Sequence, residues 1–217
     1  MLSNKDFILN IQPKDYGNLN APLPNEIPEP KKGCGLHTDS CKAIIFSWIV
    51  PTQDAMYYDS SDETIKLFRT QVNDNCGIIE CKNGVTKKGN KYIYNLWKMR
   101  IDTGEETAPD ISYNLNINIK VGDDDYFINS NFAEEGMTGM RDSYGYITFQ
   151  QFLKQKHPDK AITSEEVLEQ FYFDPYDKDI KTGFLMNVSE AELFDEKFPN
   201  HPLSEARKYI KWIIENN

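Results

Sequence analysis

From Ile111 to Val121 every odd position is apolar or aromatic and every even position is polar. An unbroken period of two predicts a strand with one face on a core and the other in water. Gly122–Asp125 can close a hairpin, and Tyr126, Ile128 and Phe132 continue the apolar face on the returning strand. The sheet is therefore expected to be antiparallel here and solvated on one side.

The same reading extends in both directions. Lys5–Gln12 reads as a short strand with Phe7, Leu9 and Ile11 on one face, and Pro13–Lys32, with five of the chain's 11 prolines, as an irregular surface passage. Lys42–Val50 is a nearly continuous apolar run that fits a strand buried on both faces, and Ala55–Tyr58 is a candidate companion strand. Ser60 and Glu63 form a capping box ahead of a helical stripe at Ile65, Phe68 and Val72, which stops in Asn73–Asn75. Strands follow at Gly77–Lys82 and Lys91–Arg100, and the loop Asp102–Asp110 leads to the hairpin. Beyond Arg141 the period becomes helical: Tyr146, Phe149 and Leu153, with Ile147 and Phe152, form a stripe ending at His157. Thr163 with Glu166 and Ser189 with Glu192 are two further capping boxes, Phe171–Gly183 reads as irregular, and the last helix is predicted from Pro202 to Ile214.

Strands in a run followed by helices specify an α+β fold: an antiparallel sheet sandwiched with helices, followed by a helical C-terminal extension. Residues 1–156 are expected to form the sandwich, and residues 157–217 an extension packed on the same core. A strand pair, a helix and then a meander closing on a helix resembles the PsbP-like fold over about residues 1–156. That group includes the photosystem extrinsic subunit, a Ran-binding release factor, and bacterial DcrB-like and effector-chaperone proteins. The resemblance implies a binding or accessory module, and it carries no functional residue onto this chain.

Composition narrows the partners. The chain has 217 residues, 39% apolar, with a net charge of −10. An acidic surface lacks the basic stripe that releases counterions from nucleic acid, so no nucleic-acid partner is expected. It suits a basic protein, and acidity is also a common route to solubility. The first residues show no apolar signal core, and the longest apolar run, Ala43–Val50, is too short to span a bilayer. A cytoplasmic protein with reduced cysteines and no membrane partner is the expectation.

Several groups bear on chemistry. Cys34, His37 and Cys41 have a knuckle-like spacing for zinc, with Cys76 or Cys81 as a fourth ligand, although paired Cys-x-x-Cys is absent; free apolar cysteines are the alternative. Cys76 and Cys81, five apart on one strand, should point to opposite faces. Asp123–Asp125 reads as a solvated turn, and Asp174, Asp177 and Asp179 fail the calcium-loop pattern. With no Walker motif, no dinucleotide fingerprint and no nucleophile elbow, no cofactor is expected. His157 and His201 stand beside prolines as helix-boundary residues, and His37 lies in the loop-rich start of the chain.

The best functional clue is the loop that leaves the hairpin: Glu134, Glu135, Gly136, Met137, Thr138, Gly139, Met140, Arg141 and Asp142. Its glycines permit positive φ, its methionines suit a surface that repacks, and Arg141 offers a planar fork for a partner's carboxylate. The competing reading is internal, with Arg141 paired to Glu134 or Glu135, Thr138 or Asp142 capping the next helix, and the methionines in the core. Three functions follow from these features. A non-catalytic protein-binding module is the first. A hydrolase using Arg141, Asp142 and a distant His or Cys is the second, and a zinc-stabilised module around Cys34 is the third.

Overall fold

The structure, a computed structural model, describes residues 8–19, 25–26, 28, 31–50, 57–101 and 110–217. Its centre is a seven-stranded antiparallel sheet made from β1 (Gly17–Asn18), β2 (Lys31–His37), β3 (Cys41–Val50), β4 (Cys76–Val85), β5 (Lys91–Ile101), β6 (Asp110–Val121) and β7 (Asp124–Glu134). The spatial order is β1-β2-β3-β7-β6-β5-β4, so the meander β4–β7 returns its last strand to pair with β3. The chain is α+β, with helices α1 (Ser61–Gln71), α2 (Met140–Lys156), α3 (Ser164–Phe171) and α4 (Pro202–Asn216). A small ribbon of β8 (Tyr172–Phe173) and β9 (Met186–Asn187) stands apart from the main sheet.

The alternation at 111–121 produces the strand it predicts. Tyr113, Leu115, Ile117 and Ile119 all face the core, joined by Tyr126, Ile128 and Phe132 from β7 and by Ala43 and Ile45 from β3. The hairpin is tighter than expected, closing at Val121↔Asp124 with Gly122 at φ +61°. Leu203, Ala206, Tyr209, Ile210 and Ile213 of α4 pack on this face, in one cluster with the sheet. At about 1.5–3 kcal/mol for each large buried apolar side chain, α4 is a major source of core stability. Its start follows from Pro202 at the first turn and from the His201 ring, which accepts the Leu203 N–H. On the opposite face α1 covers only the β4–β5 end, placing Ile65 and Phe68 on Ile78, Cys81 and Trp97.

The polar face of the hairpin is not simply wet. Asn114 is buried and accepts from Asn131 across the strands (3.0 Å), and Asn129 donates likewise to the half-buried Asn116 (2.8 Å). A paired amide tolerates the dehydration that an isolated one does not.

Other departures have local causes. Residues 8–12 form no strand, although Leu9 and Ile11 point inward; residues 5–7 lie outside the described set. The backbone there is satisfied by side chains instead, with Asn217 bonding both the N–H and C=O of Asn10, and Tyr209 donating to the Ile11 carbonyl. Within the proline-rich passage the chain forms β1 and opens β2, a strand that the two glycines of Lys31–His37 conceal. For the companion strand expected at 55–58, residues 55–56 lie outside the described set, and Tyr58 and Asp59 form a turn closed by the Ser60 N–H on the Tyr57 carbonyl. A bulge between Ile78 and Glu80 shifts the parity of β4, so that Cys76 and Cys81 pair opposite Met99 and Asn95 and share a face. The box expected at Ser189–Glu192 forms two residues earlier, as Asn187 with Glu190, over a single 3₁₀ turn. The β4 edge is closed by Tyr176, whose hydroxyl accepts the Cys81 N–H (2.6 Å) and lies 3.3 Å from the Cys81 carbonyl. Blocking an edge in this way guards against strand addition.

Candidate functional site

The loop that leaves β7 descends from the sheet through two left-handed glycines, Gly136 (φ +70°) and Gly139 (φ +73°). Gly139 is the N-cap of α2 and supplies no side chain; neither Thr138 nor Asp142 caps the helix. The helix therefore begins at Met140, six residues ahead of the position that the Tyr146 stripe marks.

Arg141 then points inward and is completely buried. Its Nε donates to the Ser189 carbonyl (2.7 Å), Nη1 to Ser204 Oγ (2.7 Å), and Nη2 to Asp195 Oδ1 (2.9 Å) and the Ala191 carbonyl (3.2 Å). The expectation that this fork meets a partner's carboxylate is thus corrected. The planar donors are all engaged inside the chain, and their acid is Asp195, not Glu134 or Glu135. Asp142 accepts from Asn187 Nδ2 and Ser189 Oγ, and Gly145 lets the helix touch Ser189, since a Cβ there would lie 2.4 Å from the Ser189 Cβ. Glu190 completes the clamp, accepting from the buried Lys98 amine (2.8 Å) and from Tyr113 (3.3 Å).

With Arg141 below, the other side of the helix start faces outward. Met137 is 78% exposed, Met140 54%, Tyr144 42% and Ile147 55%. Positions 140, 144 and 147 lie at i, i+4 and i+7, on one stripe of the helix. The inward stripe is Tyr146, Phe149 and Leu153, with Tyr146 and Phe149 against Phe171 at 5.5 and 6.0 Å between ring centroids. Ile147 and Phe152, counted with it from spacing, project into solvent, because one residue turns the helix by about 100°. Tyr144 is held edge-on by Phe194 (6.3 Å) and Phe198 (5.6 Å), and the Lys197 amine lies 5.3 Å from its ring centre.

Between this helix start and residues 197–201 lies a cavity of about 220 Å³, lined by Ser40, Glu134, Met137, Met140, Phe198 and His201 among others. His201 Nδ1 accepts the Leu203 N–H (3.2 Å), so its proton sits on Nε2, 3.2 Å from Glu134 Oε1. Both ring nitrogens are occupied, and neither presents a lone pair to Ser40. Tyr144, Lys197 and Phe198 carried no sequence signal as site residues, because only the fold brings 194–198 beside α2.

The remaining candidates stay apart. Cys34 and Cys41 face the core and are fully buried, whereas His37, of opposite parity to Cys34 on β2, is exposed. No group of three metal-ligating side chains converges among the described residues. Burial pushes the Cys34, Cys41 and Cys81 thiols up to about 12, so they stay protonated at neutral pH. His157 caps the end of α2 in solvent. Asp174 braces a turn through the Tyr176 and Asp177 amides and pairs with Arg69 at 2.7 Å. Asp125 is buried, accepting from Tyr58 (2.7 Å) and meeting Lys120 at 3.4 Å, so the acidic hairpin turn is not wholly solvated. No helix among the described residues is long and apolar enough to cross a membrane. No family model matches the chain, and no curated protein matches it.

Proposed function

We propose that this chain is a protein-binding module, working in the cytoplasm without catalysis of its own, and that its contact surface is the outward stripe at the start of α2. The observation that carries this reading is the exposure of Met137, Met140, Tyr144 and Ile147 together beside an open cavity. Single exposed apolar residues are ordinary, but a contiguous group of large ones marks an interaction surface. The base beneath is rigid, since Arg141, Asp142 and Gly145 lock the helix to residues 187–204. Rigid support reduces the ordering cost of association. The PsbP-like element order belongs to the same proposal, and the pairing of β2 with β3, then α1, the β4–β7 meander and α2 supports it.

The test is affinity capture with the native chain against a Met140→Asp/Ile147→Asp variant. Both positions are exposed, so the double change should alter stability by no more than about 1 kcal/mol. A partner held by the native chain should be lost from the variant while its thermal unfolding is unchanged. Equal retention of the same partner by both would overturn the reading.

A further inference from the structure

We infer that the partner presents a cationic amphipathic helix, which lays its apolar side along the Met140–Tyr144–Ile147 stripe and seats one large apolar side chain in the cavity beside it. This rests on the protein-binding reading above and adds the chemistry of the partner.

Size argues for a side-chain anchor. The cavity is about 220 Å³, below the ~300–1,000 Å³ typical of sites that enclose a drug-sized ligand. Its exposed lips, Met137 and Met140, are unbranched and polarisable, and such side chains reshape around an inserted group. A straight stripe at i, i+4 and i+7 is also the shape against which a second helix packs, with anchors at the same spacing.

Charge selects the sign. Of the acids around the stripe, Glu190 and Asp195 are ion-paired internally with Lys98 and Arg141, and Glu134 accepts a hydrogen bond from His201 Nε2. Asp142 is hydrogen-bonded to Asn187 and Ser189. Glu135, Glu192 and Glu196 have no ion pair among the described residues, and the last two are exposed on the turn that carries Phe194 and Phe198. Against these three stand Lys197, occupied over the Tyr144 ring, and the exposed Lys154, which continues the stripe two turns beyond Ile147. The chain's net charge of −10 adds the long-range field. A basic segment is drawn to such a rim and an anionic lipid surface is repelled from it.

The probe is a peptide of about 18 residues built from Leu and Lys, its leucines at helical spacing. It is compared with a Leu/Glu peptide of the same pattern, with a scrambled Leu/Lys peptide, and with phosphatidylcholine vesicles. Binding to the intact chain is read by fluorescence anisotropy at low and high salt, with circular dichroism confirming that each protein variant is folded. The patterned Leu/Lys peptide should bind at least about tenfold more tightly than the other two peptides. Met140→Asp/Ile147→Asp should remove that advantage. Glu192→Lys/Glu196→Lys should weaken the Leu/Lys peptide and strengthen the Leu/Glu peptide. If the Leu/Glu peptide binds equally well through the stripe, the cationic partner is overturned while the docking surface stands. Leu/Lys binding that ignores both double variants, or does not occur, overturns the inference, and the capture experiment then decides the docking reading separately. Stripe-dependent binding to the vesicles overturns it in favour of a membrane.

Discussion

Arg141 has its guanidinium enclosed by two carbonyls, a hydroxyl and a carboxylate. Replacing it with methionine keeps much of the volume but leaves Asp195 and the Ser189 and Ala191 carbonyls without their shared donor. Breaking a buried charged pair by removing one partner costs about 3–5 kcal/mol, although Arg207 still reaches Asp195 at 3.1 Å and moderates the loss. Urea unfolding should therefore show Arg141→Met destabilised by about 3 kcal/mol. Arg141→Lys should be intermediate, because an ammonium reaches the carboxylate but cannot fork to both carbonyls. A loss below about 1 kcal/mol for Arg141→Met would show that the network contributes little. Residue type made Arg141 conspicuous in the sequence, but its direction was not legible. Its partners lie 48 to 63 residues away, and only the folded chain assembles them.

At the scale of elements, legibility followed the strength of the local period. The β6–β7 hairpin could be read because its alternation never breaks, and α4 because Pro202 and its apolar stripe agree. β2 was hidden because Gly33 and Gly35 remove half of its pattern, and the start of α2 because Gly139 offers no capping side chain. Gly145 shows how packing overrides propensity. Alanine there should favour an isolated helix by about 1 kcal/mol, yet its Cβ would meet the Ser189 Cβ at 2.4 Å and Cα at 2.9 Å. Ser189 is fully buried and bonded to Asp142 and Asn187, so it has no easy retreat. Overpacking of this kind costs about 1–3 kcal/mol. Gly145→Ala should therefore unfold at lower denaturant than the native chain, and an unchanged or higher midpoint would place the α2–Ser189 contact outside the stable core.

Across the whole molecule, the cysteines connect burial to pH. Cys34 and Cys41 lie in the cluster that joins the sheet to α4, and Cys81 in the smaller one beneath α1, so the two faces of the sheet report together. Each thiol is pushed by burial to about 12 from an ordinary value of 9.0. The folded chain then holds protons that the unfolded chain releases. Their contribution is fully present below pH 9 and is lost as pH rises from 9 towards 12. Well above pH 9 each thiol weakens the fold by about 1.4 kcal/mol per pH unit. The buried phenols of Tyr16, Tyr58 and Tyr94 act in the same direction but from an ordinary value of 10.0, so the interval between pH 9 and 10 belongs mainly to the thiols. Urea unfolding should show stability falling across that interval. Cys34→Ala, though less stable at neutral pH, should fall less steeply because one titrating group is gone. Alkylation at pH 8 should modify Cys76 first, since it is the half-buried cysteine among the four. A flat profile from pH 8 to 10, or early alkylation of Cys34 and Cys41, would mean that the sheet and α4 part readily in solution.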